Sequence, residues 1–366
     1  MRKNCFSFPV ETVEGVFGET SDVLAGILRR VAGTDAPRVL FVADANVVQR
    51  TSGLGADIGR YVQRHGIQLA DRPVVMPGGE RIKSDGMKSA VEIASALLDA
   101  RLGKGDLVLV LGGGTLLDAA GYAAAQVRGG VKVVRIPTTP AAMLDAAFSD
   151  YAAVDSATVK DAMRVPSAPA AVVIDPAFAA TVLDAVWRGG IGEAARFAVA
   201  KDASMMKKLF SLGRGYAARD LDAMREIVYA ACAARAKKGP TDFAEWGAFR
   251  LEAMSGWKLP HSYAVGIGIC LDLGYAVERG LLKAADRDSV VSFLASCGAL
   301  GGMEHSRHLL GQADSLLRGL DAWRLSTGSG SITLATGIGR SAEEDSPDRE
   351  AYRKVLADML SSPARG

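Results

Sequence analysis

The sequence predicts an α/β domain with a mostly parallel sheet, followed by a mostly helical domain. In the first half of the chain, short β-branched runs alternate with longer helical patterns, and this order favours parallel strands joined by helices. Beyond about residue 183, strand patterns become rare and helical periodicity dominates. At 366 residues the chain is long enough for two cores. We therefore expect one domain over residues 1–182 and a second over residues 183–366.

The runs that predict the sheet are short and apolar, and each ends at a glycine, a proline or an aspartate. The run Asp106–Leu111 has a continuous apolar pattern, which suits a parallel strand covered on both faces. A further short strand, Ser331–Leu334, is predicted in the second domain. The strands predicted in the first domain are Arg38–Ala43, Pro73–Met76, Asp106–Leu111, Val131–Ile136 and Ala170–Asp175.

The predicted helices carry apolar residues at helical spacing. Two lie in the first domain and the others in the second. They are Ser84–Arg101, Leu117–Gln126, Glu193–Phe210, Ala217–Lys238, Phe243–Ser255, His261–Gly280, Ala284–Cys297 and Arg349–Leu360.

Composition and charge are ordinary for a soluble globular enzyme, with 49% apolar residues, 23% charged residues and a net charge of +2. The near-neutral balance and the lack of a dense basic stripe argue against nucleic acid as a partner. No apolar run reaches the roughly 18 residues of a membrane span, and the N-terminus lacks the core of a signal peptide. Cys5, Cys232, Cys270 and Cys297 are widely spaced, so we expect reduced thiols in a cytoplasmic protein.

A glycine turn follows the third predicted strand and leads into a helix, in the order Gly112-Gly-Gly-Thr-Leu-Leu-Asp118. Glycine tolerates positive φ and lets a phosphate approach the backbone closely. The helix N-terminus offers N–H groups and a positive dipole end, which suits a pyrophosphate. The same turn could be a plain strand-to-helix connection, and it lacks the G-x-G-x-x-G spacing of the standard dinucleotide fingerprint.

Polar residues follow the other predicted strands of the first domain as well. Each pair alone could be a loop or a helix cap. Because the carboxyl ends of parallel strands meet at one edge of a sheet, their common placement favours a nucleotide site, with the first carboxylate near a ribose. The pairs are Asp44 and Asn46, Glu80 and Lys83, and Thr138 and Thr139.

Six segments in a fixed order carry a resemblance to a known superfamily. The chain resembles the sugar phosphate cyclases, which include 3-dehydroquinate synthase and the 2-epi-5-epi-valiolone synthases. Leu117, Asp145-Ala146, Arg250–Ala253 and Thr336–Gly339 are similar to the valiolone-synthase branch. The six segments are Asp44, PGGERIKS at 77–84, GGGTLLDAAGY at 112–122, IPTT with Asp145, AVVID at 171–175 and Gly192-Glu193.

The resemblance implies a dehydroquinate-synthase-like fold with a Rossmann-like first domain, a homodimer and a small sugar phosphate as substrate. It also implies transient use of NAD: a hydroxyl is oxidised, phosphate leaves, and a carbocycle closes after the carbonyl is reduced. Asp145 would lie where nicotinamide and substrate meet. The implied cofactor-binding residues are Asp44, Asn46, Glu80, Lys83, Gly113, Gly114, Asp118, Thr138, Thr139 and Lys160.

The implied metal site is altered in this sequence. The resemblance implies one glutamate and two histidines as ligands of a divalent metal, usually zinc. Glu193 and His261 fill the outer positions, whereas Glu245 stands at the middle histidine and Phe249 at the second histidine of that helix. Glu193, Glu245 and His261 could still supply three ligands, an oxygen-rich set that favours harder cations. Alternatively, the glutamates are ordinary helix carboxylates and His261 caps a helix beginning near Ser262, so zinc stays doubtful.

The implied phosphate site also differs. Tyr151 falls at the place of a lysine, Asp150 adds a negative charge beside it, and Asp161 replaces an asparagine. Arg196 and Arg235 stand where lysines are usual, which keeps the charge but changes the geometry. Removing one buried cationic contact costs on the order of 2–5 kcal/mol, so we do not expect the usual substrate.

Three functions stay open at this point. The preferred hypothesis is a divergent cyclase-type enzyme acting on an altered sugar or sugar phosphate. The alternatives are a non-cyclising NAD-dependent oxidoreductase and a non-catalytic relative that keeps NAD as a subunit of another protein. In the preferred hypothesis the polar groups of the pocket are Asp145, Lys160, Arg196, Arg235, Glu245 and His261.

Overall fold

Two units appear in a computed structural model, which describes residues 7–79, 81–85 and 87–361. The α/β unit contains the described residues up to 157 together with 161–183. The helical unit contains residues 158–160 and 184–361. Cys5 lies outside the described residues, and Cys232, Cys270 and Cys297 carry thiols that are not in disulfides.

Nine strands are described in the α/β unit, and seven of them form one sheet in which every pair is parallel. They are β1 (Val10–Thr12), β2 (Arg38–Asp44), β3 (Gln68–Leu69), β4 (Val74–Met76), β5 (Leu107–Gly112), β6 (Lys132–Pro137), β7 (Tyr151–Val154), β8 (Met163–Pro166) and β9 (Ala171–Ile174). The order across the sheet is β1-β9-β6-β5-β2-β3, and β4 also pairs with β2. Strand β5 is buried along its whole length, as its continuous apolar pattern predicts. The predicted fold class is confirmed.

Seven α-helices are described in the α/β unit. They are α1 (Val23–Ala32), α2 (Ala45–Arg50), α3 (Leu54–His65), α4 (Arg81–Ser84), α5 (Lys88–Asp99), α6 (Gly114–Gln126) and α7 (Pro140–Leu144). The sequence analysis predicted two helices in this unit, in the regions of α5 and α6. The helix predicted over Ser84–Arg101 is present as α5, but its start is wrong: α5 begins only at Lys88, because Met87 adopts a left-handed φ of 80° between α4 and α5. Asp85 accepts a hydrogen bond from the Ser89 N–H at 3.0 Å and thereby stabilises the start of α5.

An antiparallel hairpin follows α7 and was not expected from the sequence. Its strands β7 and β8 pair in register from Tyr151 opposite Pro166 to Val154 opposite Met163. Ala152 and Val154 pack against Tyr122 of α6 in a small apolar cluster. The run contains alanines, which have low strand propensity, so pairing and burial rather than local preference form this hairpin.

The described helical unit consists mainly of nine helices and one two-stranded sheet. The helix predicted over Glu193–Phe210 is wrong, because it is interrupted at Asp202, whose carboxylate caps the next helix by accepting from the Ser204 and Met205 N–H groups. None of the helices in the described part of the chain is long and apolar enough to cross a membrane. The elements are α8 (Asp184–Lys201), α9 (Ala203–Ala217), α10 (Leu221–Lys238), α11 (Glu245–Met254), α12 (His261–Glu278), α13 (Ala284–Ser296), α14 (Arg307–Leu310), α15 (Ala313–Thr327), β10 (Ile332–Gly337), β11 (Arg340–Glu344) and α16 (Arg349–Ser361).

A buried carboxyl group joins three helices of this unit. Asp272 of α12 accepts hydrogen bonds from Trp246 Nε1 of α11 at 3.0 Å and from the Tyr352 hydroxyl of α16 at 2.8 Å. Burial disfavours the charged form and raises the pKa of Asp272 to about 7, although both hydrogen bonds oppose the shift.

The raised pKa of Asp272 makes the stability of the helical unit dependent on pH. Below about pH 4 the carboxyl is protonated in both the folded and unfolded states, so this group does not lower the stability of the folded state. Between about pH 4 and pH 7 only the unfolded state ionises, and stability falls. We expect Asp272→Asn to remove this pH dependence. The difference in the free energy of unfolding between wild type and variant, measured with denaturant, should therefore change by about 3 kcal/mol between pH 5 and pH 8. Exposed Asp358→Asn is the control, and parallel pH profiles of wild type and Asp272→Asn would contradict the assignment.

Candidate functional site

The glycine turn connects the end of β5 to α6. Gly113 is the N-cap residue of α6, is extended at φ −75° and ψ 174°, and no side chain caps this helix. None of Gly112, Gly113 and Gly114 has a positive φ, so the turn does not use that conformational freedom of glycine. Close approach explains the glycines: a Cβ on Gly113 would lie 3.1 Å from Thr139 Cγ2, and one on Gly114 would lie 3.0 Å from Ala146 Cβ. The N-terminus of α6 therefore has no side-chain cap and is preceded by closely packed glycines, an arrangement that suits an anion.

The residues at the end of β2 lie against the turn that follows β4. Asp44 is buried and its Oδ1 accepts from the Asn46 N–H at 2.7 Å and from Asn46 Nδ2 at 3.1 Å. A Cβ on Gly78 would overlap both side chains. Asp44, Asn46 and the predicted turn are thus brought together, as their placement at strand ends predicts. Glu80, also predicted here, lies outside the described residues.

Two threonines follow β6. The Thr139 hydroxyl accepts from the Ala142 N–H at 3.3 Å and caps α7. The Thr138 N–H donates to the Gly112 carbonyl at 3.0 Å, which joins the ends of β6 and β5. Within the described residues, the fully buried Thr138 Oγ1 has no hydrogen-bond partner. A buried polar atom of this kind costs free energy unless a ligand or water satisfies it.

A buried polar cluster surrounds Lys83. Its Nζ lies 2.5 Å from Asp118 Oδ2 and 2.5 Å from Asp161 Oδ1. The Tyr151 hydroxyl donates to Asp161 Oδ2 at 3.3 Å, and Arg164 lies 3.7 Å from the same oxygen. Burial raises the pKa of Asp118, and Lys83 acts against that shift. Lys83, a predicted cofactor residue, thus contacts Asp161, one of the altered positions at the predicted phosphate end, and Tyr151 joins the cluster through Asp161.

A buried arginine that the sequence analysis did not select holds the segment after Asp145. Arg135 of β6 donates to the carbonyls of Ala147, Ser149 and Ser167 at 3.2, 2.7 and 2.8 Å, and burial lowers its pKa to about 10. Asp145 is half-buried between α7 and the turn that follows it. The sequence did offer a signal for this residue, namely an arginine inside an apolar strand. A buried cation needs several acceptors, so such an arginine indicates a structural role.

Six charged side chains of the helical unit form a row in which positive and negative groups alternate, called here the ion-pair chain. It is built from α8, α11, the first residue of α12 and the segment 158–160. In order, its members are Lys160, Glu252, His261, Glu193, Arg196 and Glu245.

His261 occupies the middle of the ion-pair chain. Its Nδ1 lies 2.7 Å from Glu252 Oε1 and its Nε2 lies 3.2 Å from Glu193 Oε1. Burial opposes the charged imidazole, but the two carboxylates outweigh it, so the pKa of His261 is raised well above its usual range. The alternative in which His261 caps the helix is wrong: α12 begins at His261, with Pro260 at the N-cap position.

Arg196 connects the two glutamates predicted as metal ligands. Its Nε donates to Glu193 Oε2 at 3.0 Å, and its Nη1 donates to Glu245 Oε1 and, at 3.1 Å, to the Thr241 carbonyl. Burial alone would raise the pKa of Glu193, but Arg196 and His261 outweigh it and lower that pKa to about 2. The charge of Arg235, whose guanidinium lies 4.8 Å from the centre of the Phe197 ring, adds to this effect.

The end of the ion-pair chain contains a residue that the sequence analysis missed. Glu252 is fully buried, and its Oε2 lies 3.0 Å from Lys160 Nζ. Glu245 and Glu252 lie two turns apart on one face of α11, a spacing that could have revealed the second glutamate. Lys160, predicted as a cofactor residue, belongs to the helical unit, where it also lies 5.6 Å from the centre of the Trp257 ring.

The predicted metal ligands Glu193, Glu245 and His261 are brought into one cluster, but they do not surround a common point. The guanidinium of Arg196 lies between the two glutamates, and both ring nitrogens of His261 face carboxylate oxygens. Within the described chain, no group of three His, Cys, Asp or Glu side chains is arranged to hold a metal ion. Phe249 packs near His261, with ring centres 6.1 Å apart. As the side chains stand, this set does not fit a divalent cation.

A parallel sheet with a glycine turn at a central strand end, followed by a helical unit, defines a dehydroquinate-synthase-like α/β fold. Solved structures share it. The 2-epi-5-epi-valiolone synthase ValA from Streptomyces hygroscopicus subsp. jinggangensis, with NAD+ and Zn2+ bound, superposes with a TM-score of 0.80, 23% identity and 96% coverage of both chains. A 2-deoxy-scyllo-inosose synthase complexed with carbaglucose-6-phosphate, NAD+ and Co2+ gives a TM-score of 0.73 at 15% identity, covering 97% of this chain and 99% of that one.

Sequence comparison identifies the family. Residues 73–188 match the family model of the 3-dehydroquinate synthase N-terminal region. The 3-dehydroquinate synthase of Rhodospirillum rubrum is 30% identical over 358 residues, covering 92% of this chain and 88% of that protein. The enzyme of Pyrobaculum islandicum is 28% identical, covering 74% of this chain and 84% of that protein. The chain belongs to the 3-dehydroquinate synthase family, within the sugar phosphate cyclase superfamily.

Proposed function

We propose that the protein is an NAD-dependent enzyme of the sugar phosphate cyclase type that acts on an altered sugar or sugar phosphate. The observation that carries this proposal is the side-chain-free turn at the N-terminus of α6, where Gly113 is extended and closely packed. The N–H groups of such a helix end bind a pyrophosphate well. The valiolone synthase and the inosose synthase with this fold were both solved with NAD+.

The residues at the carboxyl edge of the sheet would hold the cofactor. Gly113 and Gly114 would let the pyrophosphate approach α6, and the Asp44 carboxylate would accept from a ribose hydroxyl. The unsatisfied Thr138 hydroxyl would gain a polar partner. Bound NAD would supply the hydride acceptor for oxidation of a substrate hydroxyl.

The altered substrate is supported by the carboxylates that are paired with two cations of the predicted pocket. Lys160 is paired with Glu252, and Arg196 is paired with Glu193 and Glu245. A phosphate dianion would have to compete with carboxylates already in place, and buried like charges repel strongly. We therefore expect a substrate that carries less negative charge than a phosphate dianion, or that carries its negative charge away from these cations.

The proposal is tested on the purified protein with a panel of sugar phosphates and the matching unphosphorylated sugars. Bound NAD is measured after denaturation, phosphate release by a colorimetric assay, and NADH by absorbance. We expect bound NAD and phosphate release without net NADH. Lasting NADH accumulation would instead identify a non-cyclising oxidoreductase, and bound NAD with no turnover would identify a non-catalytic relative. Protein without affinity for NAD would refute all three.

The non-catalytic alternative has one structural observation in its favour. The ion-pair chain already joins every one of its six charged groups to an oppositely charged neighbour. A charged side chain that is already paired must give up its partner before it can bind a charged substrate. Complete inactivity across the panel, with NAD bound, would favour this alternative.

A further inference from the structure

We propose that Arg196 supplies the buried cation of this site, so that the site formed by Glu193, Glu245 and His261 binds no divalent metal ion. The guanidinium lies between the two carboxylates that a metal ion would have to bridge. Both arginine and glutamates are positioned by helices, since Glu193 and Arg196 lie one turn apart on α8 and Glu245 begins α11. The fork of a guanidinium is suited to binding two carboxylates at once.

The candidate ligand atoms are already engaged. Glu193 Oε1 faces His261 Nε2 at 3.2 Å, and Glu193 Oε2 accepts from Arg196 Nε at 3.0 Å. His261 Nδ1 faces Glu252 Oε1 at 2.7 Å. A histidine coordinates a metal through an unprotonated ring nitrogen, whereas here each nitrogen faces a carboxylate acceptor. Metal binding would have to break several of these contacts together.

Displacing Arg196 would leave its charge without compensation. Arg196 is about 1% exposed, and its Nη1 is held by the Thr241 carbonyl as well as by Glu245. A divalent cation placed between Glu193 and Glu245 would therefore lie beside a buried guanidinium, and like charges in a buried site repel strongly.

The test measures metal binding by the full-length wild-type protein. The protein is incubated with ZnCl2 or CoCl2, desalted and analysed by elemental mass spectrometry, while the cobalt sample is examined by visible absorption. We expect substoichiometric metal, no absorption bands of tetrahedral cobalt and no change in Tm on addition of zinc. About one tightly held ion per chain with a raised Tm would overturn the proposal, since that is the stoichiometry of a mononuclear site.

A gain-of-binding variant makes the same test in the opposite direction. Arg196→Met with Glu245→His removes the guanidinium and adds an imidazole, giving a Glu/His/His set. We expect this double variant to bind about one zinc ion per chain with a rise in Tm. Arg188→Met is the matched control, because Arg188 lies on the same helix but pairs with Asp184 at the surface. If the double variant does not fold, the wild-type measurement still decides.

Metal binding is measured without any substrate, so the two proposals fail separately. A metal-binding wild type would leave the NAD-linked reaction standing, and a missing reaction would leave the metal result standing.

Discussion

Glu252→Gln is expected to destabilise the protein by about 3–5 kcal/mol, which is typical for a buried ion pair that loses one partner. Glu252 is fully buried and lies against both Lys160, at 3.0 Å, and His261, at 2.7 Å. The substitution keeps the shape of the side chain but removes its charge, so the buried Lys160 and the half-buried His261 lose their shared counter-charge. Equilibrium unfolding in denaturant measures the change.

The matched control is Glu278→Gln, which removes a surface partner of Lys354 and is expected to cost less than about 1 kcal/mol. Coupling is tested by adding Lys160→Met to Glu252→Gln, which removes one of the two cations that contact Glu252. The double variant should lose less stability than the sum of the two single variants. A Glu252→Gln effect no larger than that of Glu278→Gln would mean that the ion-pair chain contributes little.

Gly113→Ala is expected to weaken NAD binding about 100-fold, equivalent to about 3 kcal/mol. The new methyl group would lie 3.1 Å from Thr139 Cγ2, at the turn where the proposed pyrophosphate approaches α6. Backbone strain is not the cause, because Gly113 is extended and alanine adopts that conformation readily. Titration calorimetry with NAD measures the affinity, and thermal unfolding without NAD measures the packing cost.

Two further variants separate packing from ligand contact at this position. Thr139→Ser removes the nearest methyl group, so a pure packing effect of Gly113→Ala would be relieved by it, whereas a clash with the ligand would persist. Gly105→Ala is the control, since a Cβ there would meet nothing within 4 Å. Unchanged NAD affinity in Gly113→Ala would place the cofactor away from this turn.

The sheet and its glycine turn could be predicted because the information is local. The continuous apolar run of β5 and the glycines after it lie within a few adjacent residues. The ends of helices were harder to predict from the sequence. Asp85 and Asp202 lie inside helical patterns, and only their capping contacts reveal that a new helix begins. Periodicity alone merges two helices that meet at such a residue.

The ion-pair chain could be predicted only in part. Glu193, Arg196, Glu245 and His261 were selected through the resemblance, but their pairing depends on side-chain geometry between separate helices. Glu252 joins Lys160 across a long stretch of sequence, and nothing local indicates that contact. The β7–β8 hairpin escaped prediction for the same reason, because its alanines gain strand structure from non-local pairing.

Residues 158–160 have a consequence for attempts to divide this protein. They belong to the helical unit although the chain on both sides of them belongs to the α/β unit. A protease cut or a recombination breakpoint near residue 183 would therefore separate Lys160 from Glu252, leaving the carboxylate without that counter-charge in the C-terminal fragment. Domain shuffling at the apparent boundary is thus expected to give incomplete halves, and a functional chimera would have to inherit residues 158–160 from the same parent as α11.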